Sequence, residues 1–417
     1  MSNHENDFGP LRPEVAAELS NIDRLLDATS LPSEAEPLMR RSLAIAEENY
    51  GPSHPDVATK LGILGRLLQE MNRFSEAEPL IRRALAIDEA ICGPEHPDVA
   101  RDLNNLAALV QDTNRISEAE PLIRRALAIN EAAKGPDHPD VARDLNNLAT
   151  LLLATNRLPA AEPLIRRALA IDEAAYGPDH PAVATRLNNL AQLLEQKNRV
   201  AEAEPLMRRA VSIFEMRCGE NHPKLAGPLT NLARLLHTTY QLEEAEPLMR
   251  RSLAIAEANC GPNHPDVAIQ LNNLAALLQD TNRFVEAEPL IRRALAIDEA
   301  SYGPNHPEVA NRLNNLASLL LSTNRVFEAE PLMHRTIAVF ARFAAATGHE
   351  HPHLMISVGN YVGVLQEMGL STRSIDDRVN SALRGVEQSP SLPLEPHPTE
   401  KQNRAARRRL AAQRRRR

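Results

Sequence analysis

Tryptophan is absent from the 417 residues, and aromatic side chains of every kind make up only 3%. A conventional globular core leans on such rings, so the 43% of hydrophobic residues must pack in some other way. Leucine, alanine and isoleucine carry that share beside arginine and glutamate, a set rich in strong helix formers. No apolar run approaches the ~20 residues that cross a bilayer. The stretch from Met1 to Pro10 is polar and lacks the apolar core of a signal peptide. Together these absences lead to the expectation of a cytoplasmic protein without a transmembrane segment. The three cysteines, Cys92, Cys218 and Cys260, show neither a disulfide framework nor a metal-ligand spacing. Each precedes a glycine whose equivalents elsewhere follow Tyr50, Lys134, Tyr176 or Tyr302, an exchange that argues against a metal site. Phosphate-binding loops, His-Glu-x-x-His helices and nucleophile elbows are missing too.

What the chain has instead is a period. Gly-Pro-x-His-Pro occurs at Gly51, Gly93, Gly135, Gly177, Gly261 and Gly303, with the variant Gly-Glu-Asn-His-Pro at Gly219, all in a 42-residue register. Degenerate copies extend it to Gly9 and Gly348. A second motif, Ala-Glu-Pro-Leu, begins at Ala35, Ala77, Ala119, Ala161, Ala203, Ala245, Ala287 and Ala329 with the same spacing. These units are nearly interchangeable, whereas catalysis needs one unique constellation. The expectation is therefore a protein that is not an enzyme and carries no cofactor.

One unit, Gly93 to Lys134, shows the local physics. His96-Pro97-Asp98 opens a helix, because proline suits its first turn and an aspartate suits the positive end of the dipole. Leu103, Leu106, Ala107 and Val110 then form one apolar stripe. Thr113-Asn114-Arg115 makes a turn, with Asn114 fit for the left-handed conformation. The spacing predicts a second helix from Ser117, capped by a Ser117/Glu120 box, with Pro121 in its first turn and Ala119, Ile123, Ala126 and Ile129 as its stripe. Glu120 and Arg124 stand four apart as a surface ion pair. Two helices of this size cannot bury enough apolar surface alone to offset their ordering entropy, so each pair must stack on its neighbours.

The pattern Leu103-x-x-Leu106-Ala107-x-x-Val110 followed by Ala119-x-x-x-Ile123-x-x-Ala126 resembles the tetratricopeptide repeat. The long period, the Leu-Asn-Asn-Leu-Ala core and the His-Pro junction are similar to its kinesin-light-chain-like subclass. No heptad region precedes the first repeat, and the implication carried over is the peptide-binding solenoid alone. The expected fold is all-α, a right-handed superhelical solenoid of tandem helix-turn-helix repeats. Residues 1–8 read as a polar tail, 9–387 as nine repeats with the last degenerate, and 388–417 as a disordered linker and basic tail.

Asn105 lies about 200° from Leu103 on a helical wheel and so points away from the stripe. Its equivalents are Asn21, Asn147, Asn189, Asn231, Asn273, Asn315 and Asn360, with Ile63 as the exception. In tetratricopeptide proteins this position lines the concave groove, which makes these asparagines candidates for holding a peptide backbone. An asparagine ladder bonding neighbouring helices is the equal alternative. Arg101 and Arg143 on the same face are candidates for binding acidic groups, against plain solvation of a helix face. The histidines at 54, 96, 138, 180, 222, 264, 306 and 351 read as helix caps, since one repeat separates each from the next. Pro228 inside a first helix predicts a kink.

Charge is unevenly spread. The net −8 includes Lys401 and eight arginines in 401–417, so the rest carries about −17. Arg407, Arg408, Arg409, Arg414, Arg415, Arg416 and Arg417 could meet an acidic partner, nucleic acid or anionic lipid, or serve as a solubilising tail. The functional expectation is a non-catalytic scaffold binding other proteins in its groove, with a tail-directed nucleic-acid or membrane factor as the alternative.

Overall fold

The structure, a computed structural model, describes residues 32–71, 73–347 and 351–384. The polar tail 1–8, Gly9, Asn21, Gly348 and the basic tail with its seven named arginines lie outside the described residues. Helix α1 (Pro32–Tyr50) is the second helix of the first repeat. Seven regular pairs follow. They are α2 (Pro55–Glu70) with α3 (Phe74–Cys92), α4 (Pro97–Asp112) with α5 (Ile116–Lys134), and α6 (Pro139–Ala154) with α7 (Leu158–Tyr176). Next come α8 (Pro181–Gln196) with α9 (Val200–Cys218), α10 (Ala226–Thr238) with α11 (Leu242–Cys260), α12 (Pro265–Asp280) with α13 (Phe284–Tyr302), and α14 (Pro307–Ser322) with α15 (Val326–Thr347). A shorter pair, α16 (Leu354–Glu367) and α17 (Thr372–Leu383), ends the described chain. Among the described residues there is no strand, and the molecule is an all-α solenoid that divides into two compact units between Pro262 and Asn263.

Among the described residues the first helices from α2 to α8, α12 and α14 open in the same way. The His96 ring accepts from the Asp98 amide at 3.2 Å through Nδ1, with Pro97 at the first helical position. The same bond recurs at His54, His138, His180, His222, His264, His306 and His351. The histidine series is thus a set of caps, each satisfying an amide that the helix leaves without a partner. Helix α4 closes in a Schellman turn. Asn114 adopts φ 59°, its amide donates to the Gln111 carbonyl at 2.9 Å, and the Arg115 amide reaches back to the Val110 carbonyl at 2.7 Å.

Second helices begin one residue earlier than the capping-box pattern implies. Helix α5 starts at Ile116 behind Arg115, which makes no side-chain cap bond, so Ser117 and Glu120 form no box. Pro121 is consequently the sixth helical residue rather than one of the first turn. The cost is confined to the Ser117 carbonyl, which loses its helical donor on an exposed turn. Glu120 serves a different purpose: it binds Arg124 of its own helix at 2.7 Å and Arg157 of the next repeat at 2.6 Å. Glu162 does the same with Lys197, Arg166 and Arg199, whose hydrogen bonds hold its carboxyl down at about 2.

The second arginine of several Arg-Arg pairs also spans repeats. Arg125 grips Glu89 of the preceding unit at 2.6 Å and the Pro94 carbonyl, at the turn that joins the two units, at 2.9 Å. Arg83, Arg167 and Arg209 repeat this with Glu47 and Pro52, Glu131 and Pro136, and Glu173 and Pro178. Beneath these pairs lies the apolar core. Val99, Ala100, Leu103, Ala126 and Ile129 form one cluster, closed by Leu85 from the helix before and by Leu122. Val141, Ala142, Leu145, Ala168 and Ile171 form the next, closed by Leu127 and Leu164. Both predicted stripes are fully buried.

The sixth repeat departs from the expectation of a kink. A 3-10 turn, Pro223–Leu225, precedes the α-helix, and the Ala226 amide donates to the Pro223 carbonyl. Helix α10 therefore starts late and runs 13 residues instead of 16. Pro228 falls in the first turn of the shortened α-helix, where no amide is needed. The same repeat carries Tyr240 where its counterparts carry asparagine, at φ 60° and 87% exposed. A tyrosine in the left-handed region costs about 1 kcal/mol of steric strain, and this ring recovers little of it through packing. Tyr240→Asn is expected to stabilise the chain by about 0.5–1 kcal/mol, read as a higher midpoint in urea unfolding. An unchanged or lower midpoint would refute the strain.

Candidate functional site

Within the first unit, successive first helices lie side by side and expose the face that carries the paired asparagines. Helices α2, α4 and α6 bound a cleft of about 400 Å³ there. Arg66 and Glu70 come from α2, Asn105, Ala108 and Asp112 from α4, and Arg143 and Asn147 from α6. Asn105 and Asn147 thus stand on one wall line, 42 residues apart, as the wheel places them. Asn189, Asn231, Asn273 and Asn315 occupy the equivalent turns of α8, α10, α12 and α14 and are half-buried like them.

The asparagines are bonded to each other. Asn147 donates through Nδ2 to Asn104 Oδ1 at 3.1 Å, and Asn189 donates to Asn146 Oδ1 at 2.8 Å. Asn231 to Asn188 at 3.1 Å and Asn315 to Asn272 at 2.7 Å continue the pattern. Each bond uses one amide hydrogen of the later asparagine. A carboxamide has a second N–H and an oxygen with two lone pairs, so laddering and contact with a guest are compatible. The earlier asparagine of each pair, Asn104 or Asn146, was not singled out from the sequence. Its repetition in the Leu-Asn-Asn-Leu core is the signal that would have found it.

Arg101 and Arg143 line the cleft, yet both are tied down by their own chain. Arg101 reaches Asp88 at 2.8 Å, Asp98 at 2.8 Å and Asp102 at 3.2 Å. Arg143 reaches Asp140 at 2.8 Å and Asp144 at 3.4 Å. Their guanidinium groups are therefore oriented, and their charge is offset before any ligand arrives.

Below the cleft floor, polar residues interrupt the apolar stripe at several junctions. Asp144, fully buried, accepts from Asn104 at 2.8 Å and from Asn130 at 2.6 Å. At two other junctions a guanidinium answers the carboxylate, Arg186 to Asp172 and Arg312 to Asp298, each at 2.9 Å. Asp102 lacks the amide pair and is answered only by Arg101, whose Nε donates to Oδ1 at 3.2 Å. Gly62 stands where Asn104 stands one repeat later, and a Cβ there would lie 3.6 Å from Asp102 Oδ1. Asp88 stands where Asn130 does. Asp102 is thus buried against another carboxyl, and its Oδ2 has no hydrogen-bond partner among the described residues. Burial pushes its carboxyl up to about 7, with the Asp88 carboxylate adding to the rise and Arg101 opposing it.

An acid whose folded value lies above its unfolded one holds an extra proton in the folded state. Its stabilising contribution is complete below the unfolded value and disappears as pH climbs through the folded one. Stability should therefore fall between about pH 4 and 7 and level off above. Asp102→Asn, which reproduces the Asn130/Asp144 arrangement in reverse, is expected to stabilise the chain at pH 8 by about 1–3 kcal/mol. The gain should shrink at pH 5. Urea melts of both proteins across that range check this, and parallel curves would refute a protonated Asp102.

The tetratricopeptide repeat profile matches residues 29–90, 64–132, 103–174, 157–216, 198–258, 224–300 and 266–342. No curated protein matches the chain. Among solved structures it is similar to a kinesin-light-chain-type protein from Podosopora anserina with nearly identical TPR-like repeats. They share 25% identity over 50% of this chain and 98% of that one, with a TM-score of 0.41. A STAND signal-transduction ATPase with a tetratricopeptide repeat sensor, from Pyrococcus horikoshii, aligns over 89% of this chain at 14% identity and a TM-score of 0.58. The APC/C hetero-tetramer Cut9–Hcn1 aligns over 88% at 14% identity and a TM-score of 0.52. These two share the fold, and this chain spans 52% and 55% of their lengths. With the profile matched throughout residues 29–342 and helix pairs recurring every 42 residues, the chain belongs to the tetratricopeptide repeat family.

Proposed function

We propose that the chain is a non-catalytic scaffold that holds a segment of another protein against its first helices. The observation that carries this reading is the cleft bounded by α2, α4 and α6, where Asn105 and Asn147 stand at repeat spacing beside Arg66, Glu70 and Asp112. Proteins built on this repeat bind other proteins, and a row of carboxamides suits an extended backbone, which offers donors and acceptors in turn. A net hydrogen bond contributes about 0.5–1.5 kcal/mol, whereas a micromolar complex needs about 8 kcal/mol. Backbone clamping by a few asparagines therefore falls short, and selectivity belongs to the residues that change between repeats. Positions 101, 143, 185, 227, 269 and 311 carry Arg, Arg, Thr, Gly, Ile and Asn in that order. The charged end of this series lies in the cleft. Ile269 gives the second unit an exposed apolar residue at the same turn.

A photo-crosslinking amino acid at Ala108, exposed within the cleft, tests the reading against the same probe at Ala201, exposed on a second helix. Capture of a protein at Ala108 alone is expected, with Arg66→Glu plus Asn105→Ala lowering that capture about tenfold while helicity by circular dichroism is retained. Equal capture at both positions, or none at Ala108, would remove the cleft as the binding surface.

A further inference from the structure

The end of α3 and the start of α4 place three metal-binding side chains together. Cys92 is the last residue of α3, Gly93 turns the chain at φ 88°, and His96 and Asp98 open α4. One ligand atom from each, the thiol sulfur, an imidazole nitrogen and a carboxylate oxygen, lies within 4.8 Å of the other two. His96 Nδ1 and Asp98 Oδ2 are 3.3 Å apart. Two ligands at about 2.0 Å on a tetrahedral zinc ion stand at about that separation. The spacing Cys-x-x-x-His-x-Asp matches no common zinc motif, which is why the linear pattern hides the cluster. The reversal at Gly93 brings it together.

The neighbouring junctions show what normally fills this place. Tyr50, Tyr176 and Tyr302 stack on His54, His180 and His306 with ring centroids 4.6, 4.4 and 4.6 Å apart. In the following repeat the Lys134 ammonium bonds Asp140 Oδ2, the counterpart of Asp98 Oδ2. A cation on that carboxylate oxygen is thus an arrangement the fold already uses. Cysteine at 92 supplies neither ring nor charge. The surroundings are also short of positive charge, since Asp88, Asp98 and Asp102 share the single guanidinium of Arg101. The carboxyl end of α3 adds negative potential.

We propose that Cys92, His96 and Asp98 bind a thiophilic divalent cation of the Zn²⁺ class, with water as the fourth ligand. Binding forms metal–sulfur, metal–nitrogen and metal–oxygen bonds. The thiol proton passes to solvent, with no change of oxidation state. The Nδ1 lone pair moves from the Asp98 amide to the ion, and that amide, at an exposed helix start, turns to water. The ion joins the last turn of one repeat to the first turn of the next. Cys218 is an internal control, because Lys224 stands where Asp98 does and no carboxylate occupies that position. The same heptad, Cys-Gly-Pro-x-His-Pro-Asp, recurs in the sequence at Cys260 to Asp266, so the test isolates one thiol.

The untagged full chain carrying Cys218→Ser and Cys260→Ser is titrated with Co²⁺, a spectroscopic substitute for zinc, and then with Zn²⁺ by calorimetry. One equivalent of Co²⁺ should raise a thiolate-to-metal absorption band that Zn²⁺ displaces, with release of one proton per ion. Cys92→Ser should abolish the band. Asp98→Asn, which leaves the backbone and the histidine cap in place, should weaken Zn²⁺ at least tenfold with helicity unchanged. Absence of the band would overturn the proposal. So would affinity indifferent to Cys92→Ser or to Asp98→Asn, since binding would then involve a lone thiol or the histidines around His351.

Discussion

A single helix pair of this chain cannot enclose its own apolar stripe, and everything else follows from that shortfall. The cluster that holds Leu103 and Ile129 is closed by Leu85 from the preceding repeat together with Leu122. Leu127 does the same for the cluster of the following repeat. Stability of such an array is a sum of weak units and the interfaces between them, so the information that matters sits at the junctions. This explains the composition. Leucine, alanine and isoleucine interdigitate between closely packed helices, and a bulky indole would have no recurring place.

The polar motifs serve the same interfaces. In Ala-Glu-Pro-Leu-x-Arg-Arg the glutamate answers one arginine of its own helix and one of the next repeat, while the final arginine reaches back to a glutamate and a proline carbonyl. Exposed ion pairs contribute little one at a time. Here each carboxylate is shared by two cations, and the pairs fix how far one helix pair is displaced from the next. The asparagine ladder does this between successive first helices. Repetition of both devices along the first unit holds the cleft face in register.

Uniformity makes the exceptions informative. Gly62 withdraws a donor from Asp102, Asp88 replaces the amide that serves Asp144, and Cys92 replaces a ring or an ammonium beside His96. All three fall at the junction of the second and third repeats, beside the cleft bounded by α2, α4 and α6. Of these only Gly62 departs from the common residue of its series, since aspartate recurs at 172 and 298 and cysteine at 218 and 260. Apolar exceptions are exposed as well: Val285 and Phe327 at equivalent turns of α13 and α15, and Ile63 on α2 in place of a ladder asparagine.

Period, first-helix caps and stripes were legible in the linear sequence because they depend on local spacing. Leu103, Leu106, Ala107, Val110 and the histidine caps act within a turn or two of helix, and Asn114 within one tight turn. The start of α5 at Ile116 was not legible, because a serine with a glutamate three residues on mimics a cap whether or not the backbone uses it. Nor was the relief of Pro228 by a 3-10 turn. Pairings such as Asn147 to Asn104, Arg125 to Glu89 and Asp88 to Asp102 join residues 14 to 43 apart, and no local periodicity encodes which atom meets which. The sequence by itself determined that helix pairs must stack. Only the tertiary structure decided which polar groups would be satisfied by that stacking, because hydrogen bonds and charge depend on distances of a few ångströms that stacking alone creates.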